Sequence, residues 1–222
     1  MLSIGEREFK MRNKKTSFLF LSTAIIMGTI GFLGYNALGT SPKDAIFIHQ
    51  SLPKLDTSIL SSDSDLIVRG QVKEIMDAEW NTIDKKAPIE PSGFDVVYTD
   101  VKVGVKEVIK GSSDNEIVVR VYAGKASEGV EVINDGESSF ENGEEIILFL
   151  IPDRTPFNKE NEQGHYRVMG GYQGKYLIEG QTGLSKQVTN QFENKNLNYL
   201  LQEIENSKYK PKQIIENIEG KL

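Results

Sequence analysis

The chain has 222 residues, 26 basic and 32 acidic, and a formal net charge of −6. It contains no cysteine, which excludes disulfides, thiolate catalysis and every cysteine-ligated metal centre. The acidic balance also argues against nucleic acid as a partner, because polyanions select basic surfaces.

Residues 1–16 carry Arg7, Lys10, Arg12, Lys14 and Lys15. Residues 17–38 follow as 22 residues without a charge. A spanning helix needs about 20 such residues, and a basic flank belongs on the cytoplasmic side. The pattern predicts a transmembrane signal anchor over 17–38, with 1–16 cytoplasmic and the C-terminal domain extracytoplasmic. The expected location is the cell membrane, single-pass, with the membrane itself as one partner. The alternative is a secreted form, cut after Gly39, where Ala37 and Gly39 supply small residues two apart. Signal-peptide cores are shorter, about 7–15 residues.

Residues 39–63 read as a juxtamembrane connector with Pro42 and Pro53, ending in a short helical stretch with Asp56 or Ser58 near its start. Residues 64–180 read as β structure. Val101, Val103 and Val105 alternate with Asp100, Lys102 and Lys106, the two-residue period of a half-buried strand. The phase slips at Glu107-Val108, which predicts a β-bulge. Ile117, Val119 and Val121 mark the next strand. Residues 146–151 are apolar without interruption, so that strand is expected to be covered on both faces. Residues 175–179 close the set. The spacing predicts a mainly β fold, a small antiparallel barrel. Residues 181–222 are expected to form a C-terminal helical appendage. Asn190 and Glu193 resemble a capping box, Leu197, Leu200, Leu201 and Ile204 follow at helical spacing, and Pro211 suits the start of a second helix.

Four segments together carry a family resemblance. They are Ser64-Asp65-Leu66-Ile67-Val68-Arg69-Gly70-Gln71-Val72; Tyr98-Thr99 with Val103, then Val108-Ile109-Lys110-Gly111; Phe140-Glu141-Asn142-Gly143-Glu144-Glu145 with Ile147-Leu148-Phe149-Leu150; and the stretch from Tyr166 through Gly174. Over residues 64–180 the order resembles exported or membrane-anchored bacterial envelope proteins. It also resembles the oligomer-binding-type (OB-like) barrel of netrin-like and metalloproteinase-inhibitor domains. The resemblance implies an OB-like barrel in an envelope domain and supplies no catalytic residues. Those inhibitors chelate metal through an N-terminal cysteine, so inhibition does not carry over to this chain.

The chain has two histidines, His49 and His165, and neither sits in a metal-ligand spacing. No serine stands in a G-x-S-x-G context, and no phosphate-loop motif occurs. Asp153 and the Glu144-Glu145 pair flank the apolar strand as an expected solvated rim. No catalytic, cofactor-binding or metal-binding residue is expected, and no cofactor. Tyr166, Tyr172 and Tyr176 cluster around the final hairpin among Gly170, Gly171 and Gly174. Tyrosines at a barrel mouth offer flat, half-polar contact area, which makes these three the candidate partner-binding residues. The expected function is a membrane-tethered extracytoplasmic binding module for an envelope or secreted protein or glycan. The alternatives are an accessory subunit of an envelope complex, or a cell-wall or peptide hydrolase.

Overall fold

The structure, a computed structural model, describes residues 44–90, 92–158, 164–180 and 186–213. In chain order the elements are β1 Asp44–Ile48, α1 Thr57–Asp63, β2 Leu66–Ile75, β3 Glu79–Trp80, β4 Val97–Lys110, β5 Glu116–Val121, β6 Gly124–Lys125 and β7 Val130–Asn134. Then come β8 Glu145–Pro152, β9 His165–Val168, a 3-10 turn Gly171–Gly174, β10 Lys175–Glu179, β11 Gln187–Thr189, β12 Asn194–Asn196 and α2 Leu197–Ser207.

The period-two strands close a five-stranded barrel in the order β8-β2-β4-β5-β9, with β9 returning to β8. The inward residues make one core, including Val68, Val101, Val103, Val119, Ile146, Leu148 and Leu150. β4 bends around this core through two irregularities of register. Val108 faces Val68 and Lys110 faces Ile67, while Glu107 faces Arg69 and Val105 faces Gly70. Each step leaves one extra residue on β4, so bulges flank Glu107-Val108, where the alternation slips.

The expectation of a purely antiparallel barrel is corrected. β5 and β9 run parallel, with Val118 facing His165 and Val119 facing Tyr166, so the barrel is mixed. Parallel neighbours need a long connection, and three strands intervene between β5 and β9. Extra strands also extend the sheet, because β10, β11 and β12 continue outward from β8. A second sheet, β1-β7-β6, contains a parallel β1–β7 pair.

β8 has both faces buried. Ile146, Leu148 and Leu150 face the barrel interior, whereas Ile147 and Phe149 join a second core with Leu60, Leu200 and Ile204. The two helices supply that cover. Asp56 caps α1 by accepting from the Ile59 N–H at 2.9 Å. Asn196 caps α2 by accepting from the Asn198 N–H at 2.9 Å.

The expected pair of C-terminal helices is corrected on this point. One described helix precedes the barrel and one follows it. Asn190 does not cap a helix. Its Oδ1 accepts from the Phe192 and Glu193 N–H groups and shapes the loop before β12. The second expected C-terminal helix falls largely on residues that lie outside those described.

The membrane expectations are corrected as well. Among the described residues no helix is long and apolar enough to cross a membrane. α1 has 7 residues and α2 has 11, far below the spanning length. Residues 1–16 and 17–38, which carry the expected signal anchor, single-pass cell-membrane location and membrane partner, lie outside the described residues. The tethered module therefore gives way to a β domain considered on its own terms. The segment read as a connector contributes β1 and α1 to that domain.

Candidate functional site

Where β8 ends and β9 gives way to the 3-10 turn, a cleft of about 500 Å³ opens. That size suits a ligand or peptide site, which typically spans about 300–1,000 Å³. Its apolar surface comes from Leu52, Leu55, Ile151, Pro152 and Met169. Asp63 and Asp65 bring acidic groups to it, and Arg154 and Lys212 bring basic ones.

Three distant segments build these walls, and the sequence explains how they meet. Gly170 adopts φ 67°, and a Cβ there would stand 2.7 Å from Leu55 Cδ1. The left-handed backbone favours glycine there, and its missing Cβ lets the Leu55 side chain lie close against the turn. Gln173 is 1 % exposed and ties the segment down. Its Nε2 donates to the Pro53 carbonyl at 2.9 Å, and its Oε1 accepts from the Leu55 N–H at 2.8 Å. On the opposite side the Gln213 N–H donates to the Asp63 carboxylate at 3.0 and 3.2 Å, and Lys212 Nζ reaches Asp65 at 2.9 Å. Lys110 Nζ donates to the Ser61 and Ser62 carbonyls at 2.8 Å each. Burial, and next the Lys212 charge, hold the Lys110 ammonium below the ordinary lysine value.

A second polar cluster lies across the barrel. Arg120 Nε and Nη2 each donate to the Asp100 carboxylate at 2.8 Å, and both residues are buried. The guanidinium stacks 3.9 Å from the Tyr98 ring centre, and His165 Nε2 lies 3.6 Å from Asp100. The Tyr122 hydroxyl donates to Asp153 at 2.6 Å, and the Thr155 hydroxyl donates to the same carboxylate at 2.8 Å. Burial, then the Asp153 carboxylate, push the Tyr122 phenol far above its usual value. A phenol held this way keeps its proton at neutral pH and acts as a fixed donor. Among the described residues no three His, Cys, Asp or Glu side chains are placed to hold a metal ion.

The three candidate tyrosines do not share one surface. Tyr176 is 1 % exposed in the second core, and its hydroxyl donates to Glu193. Tyr166 is half-buried against the barrel core and borders a groove with Ser113 and Gly164. Tyr172 packs edge-on to Phe192, ring centres 5.6 Å apart, beside a depression holding Glu144 and Lys175.

The carboxylates expected as a solvated rim are mostly engaged. Asp153 is buried, and Glu144 meets Lys175 at 2.6 Å. Burial alone would raise the Glu145 carboxyl, but hydrogen bonds from Arg69 and Lys186 outweigh it and hold that group below the ordinary value. His49 is exposed and sits 2.8 Å from Asp135.

Sequence reasoning missed Leu52, Leu55, Gln173 and Lys212. Leu52 and Leu55 carried a usable signal, two apolar residues flanking Pro53 in a segment read as linker. Gln173 and Lys212 carried none, because their roles depend on partners more than a hundred residues away. No protein family model and no curated protein matches this chain.

Proposed function

We propose that this domain is a non-catalytic accessory subunit that docks a segment of a partner polypeptide in the cleft beside the 3-10 turn. The observation that carries the reading is an apolar surface bordered by both signs of charge. Apolar side chains of a partner gain by leaving water for Leu52, Leu55 and Met169. A polypeptide also brings carboxylates, which exposed Arg154 can meet, while Lys212 and Asp65 meet each other and Asp63 accepts from the Gln213 N–H. A polyanion would meet two carboxylates there, and an apolar small molecule would leave Arg154 unused.

The test is selection of a displayed random-peptide library on the full-length chain. Enriched peptides are expected to present apolar residues flanked by charges. Leu52→Asp, at a half-buried position, should weaken their binding about tenfold or more, because burying a leucine contributes about 1.5–3 kcal/mol. Its thermal unfolding should match the wild type. Tyr172→Ala should leave binding unchanged. Absence of enrichment, or binding indifferent to Leu52→Asp, overturns the reading. Loss only in Tyr172→Ala would move the site to the final hairpin.

A further inference from the structure

The last described residues, Lys212 and Gln213, lie at the cleft beside the 3-10 turn. α2 ends at Ser207, and the Lys210 N–H donates to the Ser207 carbonyl at 2.9 Å, which turns the chain out of the helix. Three lysines and one backbone amide then tie it down. Lys208 Nζ donates to the Ile109 carbonyl at 3.1 Å, Lys210 Nζ to Ser58 Oγ at 3.4 Å and Lys212 Nζ to Asp65 at 2.9 Å. The Gln213 N–H donates to both oxygens of the buried Asp63 carboxylate. Asp63, Asp65 and Lys212 all line the cleft. The fold therefore delivers residue 214 to its rim.

The nine residues 214–222 read IIENIEGKL, and three of the first five are isoleucine. Such side chains gain by leaving water. The second core has no place for them, because Leu200 and Ile204 already close it and are fully buried. The apolar surface at hand is the cleft wall of Leu52, Leu55, Ile151 and Met169. Length permits the contact, since nine residues rise about 13 Å even when wound as a helix, enough to cross a cleft of about 500 Å³. Charge agrees with it. Glu216 and Glu219 accompany the isoleucines, and Arg154 stands exposed at the cleft. A segment joined to the rim also has an effective concentration there in the millimolar range, so weak contacts suffice to hold it.

We propose that residues 214–222 occupy this cleft in the free chain, with Ile214, Ile215 and Ile218 against its apolar wall and Glu216 or Glu219 at Arg154. The segment is an internal competitor, which a partner polypeptide displaces on docking. The inference rests on the reading of the cleft as a polypeptide-docking site and adds the regulation of that site.

The test needs contact rather than proximity, because a segment tethered at Gln213 is always near the cleft. Isoleucine, leucine and methionine methyl groups of the full chain are ¹³C-labelled, and Ile215→Val and Ile218→Val assign the two isoleucine signals. Nuclear Overhauser contacts are expected from Ile215 or Ile218 to Leu52, Leu55 or Met169. Absence of any such contact overturns the proposal. So do contacts that arise only between differently labelled chains in a mixed sample, which would make a second copy the occupant. In the second arm, peptides enriched from the displayed library on the wild type or on Ile215→Ser/Ile218→Ser should bind that double variant at least about threefold tighter than the wild type, since a closed state taxes the partner's affinity. Equal affinity overturns the competition. Peptides that bind through Leu52 without any segment contact would leave the proposed function standing and remove this inference alone. Should neither chain enrich a peptide, the partner reading falls, and the methyl contacts alone decide the occupant.

Discussion

Phe149 shows what one side chain contributes to the link between packing and stability. It is fully buried in the second core, tilted against Tyr176 with ring centres 5.8 Å apart. Truncation removes its transfer energy and leaves a cavity, at a cost of about 3–5 kcal/mol. Phe149→Ala should therefore lower the urea midpoint sharply, and a change under ~0.5 kcal/mol would contradict its burial. Glu137 makes the opposite case. Burial raises its carboxyl above the ordinary value, opposed by the Arg167 charge and hydrogen bond. Between its unfolded value and that raised folded value, the folded state binds more protons than the unfolded one. Stability from this group is thus lost as pH rises through that window. Glu137→Gln keeps an acceptor for Arg167 and removes the titration. The unfolding free energy of the variant minus that of the wild type should climb as pH rises from about 4. A flat difference would show an unshifted carboxyl and a falling one a lowered carboxyl, and either would contradict the raised value.

At the scale of elements, β8 is the organising strand. Its first half pairs with β10, through Ile146 and Leu177, and its last half pairs with β9, through Leu150 and Val168. The exchange of neighbours occurs at Phe149, whose carbonyl accepts from the Met169 N–H at 2.8 Å. The 3-10 turn makes this exchange possible, and Gly171 starts it at φ 60°. A Cβ on Gly171 would lie 1.8 Å from the Gly136 carbonyl oxygen, the same atom that accepts from the Tyr172 N–H at 3.2 Å. Gly171→Ala should cost about 1–2 kcal/mol for the left-handed backbone plus about 1–3 kcal/mol for the clash. Gly129 provides the control, with φ 87° and nothing within 4 Å of the point where a Cβ would stand. Gly129→Ala should cost the backbone contribution alone. Equal denaturation midpoints for the two variants would remove the clash from the explanation.

For the molecule as a whole, stability depends on covering the outer face of the barrel. α1 and α2 cover Ile147, Phe149 and Tyr176 with Leu60, Leu200 and Ile204. With no cysteine to cross-link the chain, this second core stands on packing alone. Leu200→Asp places an unpaired carboxylate where no water reaches it. The variant should bind a dye specific for exposed apolar surface and lose its cooperative unfolding transition. Wild-type cooperativity in that variant would show that α2 is dispensable to the fold.

Local pattern was legible at particular residues. Alternation at Val101, Val103 and Val105 located β4, the slip at Glu107-Val108 located its bulges, and the unbroken run over 146–151 foretold a strand covered on both faces. Side-chain periodicity is a property of neighbouring residues, so it can be read along the chain. Strand direction and pairing are not local. Nothing near Val118 or His165 announces that β5 and β9 lie parallel, because that follows from how the barrel closes. Asn190 looked like a cap, but the strand β12 intervened and Asn196 took that role. The cleft was hidden for the same reason, since Leu55, Met169 and Lys212 become neighbours only after β8 exchanges partners and the 3-10 turn folds back. The sequence by itself determined the absence of disulfides and thiol chemistry, the acidic balance and the burial pattern of each long strand. Only the tertiary structure decided the mixed barrel, the helical cover and the sites, because contacts between distant segments are set by closure and packing.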